Sequence, residues 1–163
     1  MNKLVIFDIN GVICCRKRID INKQTILSVS KRNNTDIIVS NYDSVSIDSK
    51  KPRIIFLRKG IIDLIQNILN YCDVAIMSTS SERCFGPMMN LLESKLQRPF
   101  RFVKYNCVNK QIDDCHAIID DSIDKVSMNK NYFVPPSYRG YDDEDDEKLN
   151  DIFSYIIDFT KHD

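Results

Sequence analysis

The chain has 163 residues, 43% hydrophobic and 28% charged, which is enough apolar material for one core and the length of one compact domain, 1–163. Formal net charge is zero, which excludes a global electrostatic case for nucleic-acid or membrane binding, and Arg16-Lys17-Arg18 reads as a solvated loop. No apolar run reaches membrane-spanning length, and Asp8 interrupts the first one too early for a signal peptide.

The expected setting is therefore a reducing intracellular one, nucleus or cytoplasm. Six cysteines without CxxC spacing fit buried free thiols. His116 and His162, the two histidines, are too few and too far apart in sequence for a His-rich metal site or a Ser-His-Asp triad.

In chain order, "KLVIFD" is an expected first strand, apolar from Leu4 to Phe7 and closed by Asp8. Residues 20–51 are polar and break the pattern. Within them "TDIIVS" (35–40) and "DSVSID" (43–48), joined by Asn41-Tyr42, read as an inserted β-hairpin. "GIIDLIQNILNYC" (60–72) carries a helical apolar stripe. "DVAIMS" (73–78) is an expected strand, and "CFGPMMNLLESKL" (84–96) a helix with Pro87 near its first turn. "HAIIDD" (116–121) and "NYFVPP" (131–136) are further strands. The chain closes on "DEDDEKLNDIFSYIIDF", whose acids suit the unpaired N–H groups of a helix start. Short continuous apolar strands alternating with helices predict an α/β fold, a doubly wound parallel sheet with a small β-hairpin insertion after the first strand.

Open parallel sheets bind ligands beyond their carboxyl ends. There the first strand delivers Asp8, the second Ser78 and Thr79, the third Asp120 and Asp121. Three converging carboxylates repel unless a cation binds them, and an all-oxygen set suits Mg²⁺. Hydroxyls and a lysine suit phosphate oxygens. A carboxylate on a rigid strand end can attack phosphorus and form an aspartyl-phosphate.

These segments resemble a known family. "VIFDINGV", "IMSTS" and "IIDDS" are similar to motifs I, II and IV of the haloacid dehalogenase (HAD) phosphatases. "FLRKGIIDLIQNILNYCDVAIMSTSS" resembles a block of the FCP/SCP-type, or NLI-interacting-factor-like, phosphatases. The resemblance implies a HAD-like fold, Mg²⁺ as cofactor, and action on phosphoserine or phosphothreonine protein, as in the RNA polymerase II C-terminal domain. No direct nucleic-acid or membrane partner is expected.

It implies Asp8 as nucleophile, Ser78 as phosphate-binding hydroxyl with Thr79 its competitor, and Asp8, Asn10, Asp120 and Asp121 around the metal, Asn10 through its carbonyl. Lys104 lies sixteen residues before Asp120, the family's spacing for the lysine on the phosphoryl oxygens; Lys110 and Lys125 are weaker alternatives.

Three departures stand out. The family motif is DxD, and this chain reads Asp8-Ile9-Asn10. An amide cannot donate or accept the proton that the second Asp handles, a loss of roughly 10²–10⁴ in rate. Asn10-Gly11 is also a favoured turn dipeptide, and Asp121 or water could stand in as the acid. The stretch before Lys104 is shorter than in human-type relatives, and Tyr138-Arg139 stands where the family has a Trp.

The leading expectation is a phosphatase. The main alternative is a pseudo-phosphatase that binds phosphopeptide with weak turnover because of Asn10. A small-molecule phosphatase would need a cap domain, for which little chain remains.

Overall fold

The computed structural model describes residues 2–18, 36–40, 53–140 and 145–162. Its elements in order are β1 (Leu4–Phe7), β2 (Cys14–Arg18), β3 (Asp36–Ser40), β4 (Arg53–Leu57), α1 (Ile61–Ile68), β5 (Asp73–Met77), α2 (Glu82–Ser94), β6 (Val103–Lys104), β7 (Ala117–Ile119), α3 (Ile123–Val126), β8 (Tyr132–Phe133) and α4 (Asp145–Lys161). Five strands form a sheet in the order β6-β5-β1-β7-β8, and its strand pairs are parallel. From the central β1 the chain winds first to one side and then to the other, so the sheet is doubly wound, as its apolar runs predict.

Strand alternation explains why those runs are continuous. Val5, Phe7, Val74, Ile76, Ala117 and Ile119 point into one core with the apolar stripes of α1, α2 and α4. Leu4, Ile6, Ala75, Met77 and Ile118 point to the opposite face and pack with Val126 of α3. Both faces are covered by apolar side chains, so β1 and β7 are apolar throughout and β5 is apolar from Val74 to Met77.

Each helix has a local cause. Gly60, at φ 83°, lets the chain turn into α1, which buries Ile61, Leu64, Ile65 and Ile68. α2 starts at Glu82, two residues before the expected start, so Pro87 sits inside the helix rather than in its first turn. α4 opens with Asp145, Asp146 and Glu147, which favour the positive end of the helix dipole, and it buries Leu149, Ile152 and Ile156.

The insertion departs from expectation. β3 falls inside the expected first arm of the hairpin, but it pairs antiparallel with β4, from Asp36 opposite Leu57 to Ser40 opposite Arg53. β2 takes the other edge of β4, so the order is β2-β4-β3. The second expected arm, 43–48, lies outside the described residues. Arg16-Lys17-Arg18, read from sequence as a loop, is the end of β2. β4, by pairing on both edges, is the centre of this small sheet.

Candidate active site

The parallel register brings the expected residues to one edge. Phe7 lies beside Ile76 and beside Ile119, so the next residues, Asp8 and Asp120, end neighbouring strands at the same level. Asp8 N–H donates to the Ile119 carbonyl at 2.9 Å, and Asp120 N–H to that of Phe133 at 3.2 Å. Carboxylate oxygens of Asp8, Asp120 and Asp121 lie within 4.8 Å of one another. Asp8 is 4% exposed and Asp120 0%.

Burying carboxylates together is costly without positive charge. Part of it comes from Lys110, which is 0% exposed. Its Nζ donates to Asp8 Oδ1 at 2.7 Å and to Asp120 Oδ2 at 2.5 Å. Burial alone would lower the ammonium's pKa, but the Asp8 and Asp120 carboxylates reverse this and hold it above its ordinary value. Burial pushes the Asp8 carboxyl up to about 7; Lys110 opposes the rise, and Asp120 and Asp121 add to it. When all three acids are ionised, one ammonium leaves two formal negative charges. That remainder and the all-oxygen donor set fit a hard divalent cation such as Mg²⁺.

The lysine is where spacing and structure part. Lys104 is exposed on β6, and its ammonium sits 4.6 Å from the centre of the Phe102 ring. Only its backbone serves the site's edge, as the Lys104 carbonyl accepts the Ser78 N–H at 2.9 Å. The chain then turns at Asn106, in left-handed conformation at φ 58°, and Lys110 reaches the carboxylates. Lys125, the other alternative, donates to Thr79 Oγ1 at 3.3 Å, linking α3 to the end of β5.

Ser78 is buried, and its Oγ accepts the Ser80 N–H at 3.1 Å; Thr79 is exposed. Asn10 is exposed, and its Oδ1 accepts the Arg16 N–H at 3.2 Å, so the amide ties the turn after β1 to β2. Gly11 has φ 89°, and a Cβ there would collide with Asp121 Oδ2. Glycine is required twice over: by the backbone conformation and by the close approach of the carboxylate. Ser137 Oγ donates to Asp121 Oδ2 at 2.5 Å, and the neighbouring Tyr138 N–H donates to the Gly11 carbonyl at 2.8 Å.

Arg58 is a supporting residue to which sequence reasoning gave no role. It is 1% exposed. Its Nε and Nη2 grip Asp145 at 2.7–3.1 Å, and its Nη1 donates to the Val12 carbonyl at 3.0 Å. The guanidinium also lies 5.1 Å from the Tyr138 ring centre. It thereby joins the turn that follows Asp8 to the start of α4. The available signal is the Arg58-Lys59 pair that closes an apolar strand, with the acidic run at the start of the last helix as a distant source of partners.

A doubly wound sheet with an aspartate after β1, a hydroxyl after β5, paired aspartates after β7 and a lysine between them is a HAD-like fold. The family model for NLI interacting factor-like phosphatases matches residues 3–163, and the chain belongs to that family. Comparison with curated proteins finds no match. Among solved structures it is similar to fission yeast RNA polymerase II CTD phosphatase Fcp1, an arginine-to-alanine variant bound to beryllium fluoride. That match has a TM-score of 0.60 and 11% identity, covering 98% of this chain and 50% of the other. A second similar structure is that of Fcp1, described as an essential RNA polymerase II CTD phosphatase, with a TM-score of 0.61, 11% identity and coverage of 94% and 49%. The chain thus spans about half the length of these structures, and at this identity the likeness speaks for the fold.

Proposed function

We propose that the chain is a Mg²⁺-dependent phosphatase that removes phosphate from phosphoserine or phosphothreonine in a protein, CTD-like in kind, through a phospho-Asp8 intermediate. The observation that carries this reading is the buried Lys110 ammonium between Asp8 and Asp120, beside Asp121. Family membership supports it, and no helix among the described residues is long and apolar enough to cross a membrane.

Asp8 and Asp120, with the Asn10 carbonyl and Asp121 beside them, would hold Mg²⁺, which supplies charge neutralisation to the transferring phosphoryl group. Asp8 is the nucleophile: a carboxylate oxygen bonds to phosphorus as the bond to the ester oxygen breaks. Its strand-end position fixes its direction, which favours in-line attack. Lys110 and the Ser78 hydroxyl hold phosphoryl oxygens, and Thr79 stands at the more exposed edge. Lys110 takes this role in place of Lys104, whose ammonium is engaged at Phe102.

The leaving oxygen takes its proton from water, since the Asn10 amide is no acid and Asp121 is ionised beside the cation. Water then attacks the phosphorus of phospho-Asp8 and phosphate leaves. Without an acid/base at position 10, this second step is the slower one for an activated leaving group, so phospho-Asp8 accumulates.

Asn10 also favours a second reading, a phosphopeptide-binding module with almost no turnover. Hydrolysis of an activated aryl phosphate with Mg²⁺ separates the two. The enzyme reading expects turnover in the wild type, none in Asp8→Asn, and a faster steady state in Asn10→Asp. Wild-type activity at background, rising only in Asn10→Asp, favours the binding module. Background activity in all three overturns the phosphatase reading.

A further inference from the structure

A second cluster of ligating side chains lies at the opposite end of the sheet. Asp113, Cys115 and His116 directly precede β7, so they stand at the amino ends of the strands, away from Asp8. One ligand atom from each lies within 4.8 Å of the others. Cys115 Sγ is 3.6 Å from His116 Nδ1 and 4.0 Å from Nε2, and Nε2 is 3.8 Å from Asp113 Oδ2. Donor atoms around a tetrahedral Zn²⁺ stand about 3.5 Å apart, given Zn–S of about 2.3 Å and Zn–N of about 2.0 Å. The Sγ–Nε2 and Nε2–Oδ2 separations of 4.0 and 3.8 Å exceed this by about 0.5 Å or less.

The turn that carries these residues is held in place. His116 N–H donates to the Asp113 carbonyl at 3.0 Å. Asn131 Nδ2 donates to the carbonyls of Asp114 and His116 at 2.8 and 3.1 Å. Cys115 and His116 also line a cavity of about 590 Å³. His162 of α4's end lines it too, so the fold brings both histidines to one cavity despite their separation in sequence.

We propose that Asp113, Cys115 and His116 form a second cation site, for a borderline divalent ion such as Zn²⁺, with the fourth position open to water from the cavity. The chemistry of the donors separates it from the first cluster: a thiolate and an imidazole select zinc or cobalt, whereas three carboxylates select magnesium. Three protein ligands and an open position match the open rather than the closed class of zinc site. Binding requires a deprotonated thiol, so loading releases a proton.

Titration of the metal-free full chain with Co²⁺, followed in the near ultraviolet, tests this. The expected result is a thiolate-to-cobalt charge-transfer band at about one equivalent, abolished by added Zn²⁺. The band and the zinc retained on dialysis persist in Asp8→Asn, which disables the other cluster. Both fall by at least about tenfold in Cys115→Ser and in His116→Ala, since losing even a ligand's supporting partner costs that much. Absence of the band, or a band and zinc affinity unchanged in Cys115→Ser, overturns the site. None of these readouts depends on phosphatase activity, and Cys115 is exposed, so its replacement leaves the core intact.

Discussion

Replacing Lys110 by Met distinguishes a phosphoryl-binding role for Lys110 from the same role for Lys104, the residue that spacing favours. The substitution keeps most of the side chain's volume and removes its charge. In the metal-free protein it leaves three neighbouring carboxylates without their ammonium, raising the formal excess from two negative charges to three. Breaking a buried ion pair from one side costs about 3–5 kcal/mol. Asp8 softens this by taking up a proton, because its carboxyl already sits up at about 7. The lower end of that range is therefore expected at neutral pH, with more Mg²⁺ needed for protection. For catalysis, losing one preorganised positive group on the phosphoryl oxygens costs about 10²–10³ in kcat.

Lys104→Met is the control. Its ammonium is exposed and touches one ring face, so stability changes by no more than about 0.5 kcal/mol and turnover stays as in the wild type. Urea unfolding with chelator, and aryl phosphate turnover with saturating Mg²⁺, read the two effects. An inactive Lys104→Met beside an active, stable Lys110→Met would refute the reasoning.

Gly11→Ala must both strain a backbone held at φ 89° and displace the Asp121 carboxylate; we expect about 1–3 kcal/mol lost on urea unfolding and weaker Mg²⁺ binding by calorimetry. Arg58→Met leaves Asp145 unpaired and frees the Val12 carbonyl, so about 3–5 kcal/mol should be lost and turnover should fall as the turn after Asp8 loosens; denaturation midpoints and kcat check both. The pH dependence follows from Asp8. Its carboxyl is raised from 3.8 to about 7, so between those values the folded state keeps a proton that the unfolded state has released. Metal-free stability therefore falls as pH rises through that window, by at most about 1.4 kcal/mol per pH unit, and flattens above it. Asp8→Asn should abolish this slope in unfolding curves taken across the window, and Mg²⁺ should oppose it in the wild type.

What was legible in the sequence was whatever burial on both sides writes into it. The buried stretches of β1, β5 and β7 hold apolar residues until they emerge, so Asp8, Ser78 and Asp120 are marked by the end of each run. β8 kept only two residues of its expected run, because Pro135 and Pro136 cannot continue a ladder. Arg16-Lys17-Arg18 reads as loop because its polarity hides the end of β2, a strand whose identity comes from pairing with β4. In the insertion the propensity of 36–40 for a strand is legible, but its pairing with β4 is not, since a strand states its propensity locally and not its partner. Lys110 lies in the polar stretch "NCVNKQIDD", where nothing local indicates a buried ammonium; its burial follows from the left-handed turn at Asn106 and the return of the loop to the sheet edge. The shared cavity of His116 and His162 is not legible in the sequence, because it comes from the path of the chain past the amino ends of the strands.

Whether Asp8 is the nucleophile is decided by covalent trapping. The full chain is mixed with Mg²⁺ and an activated aryl phosphate, quenched in acid within the first turnover, digested and weighed by mass spectrometry. The expected result is one added phosphoryl group on the peptide that contains Asp8, none in Asp8→Asn, and less in Asn10→Asp, where the second step is restored. Product released in the same mixture with no label at Asp8, or with the label on another residue, would contradict a phospho-Asp8 intermediate.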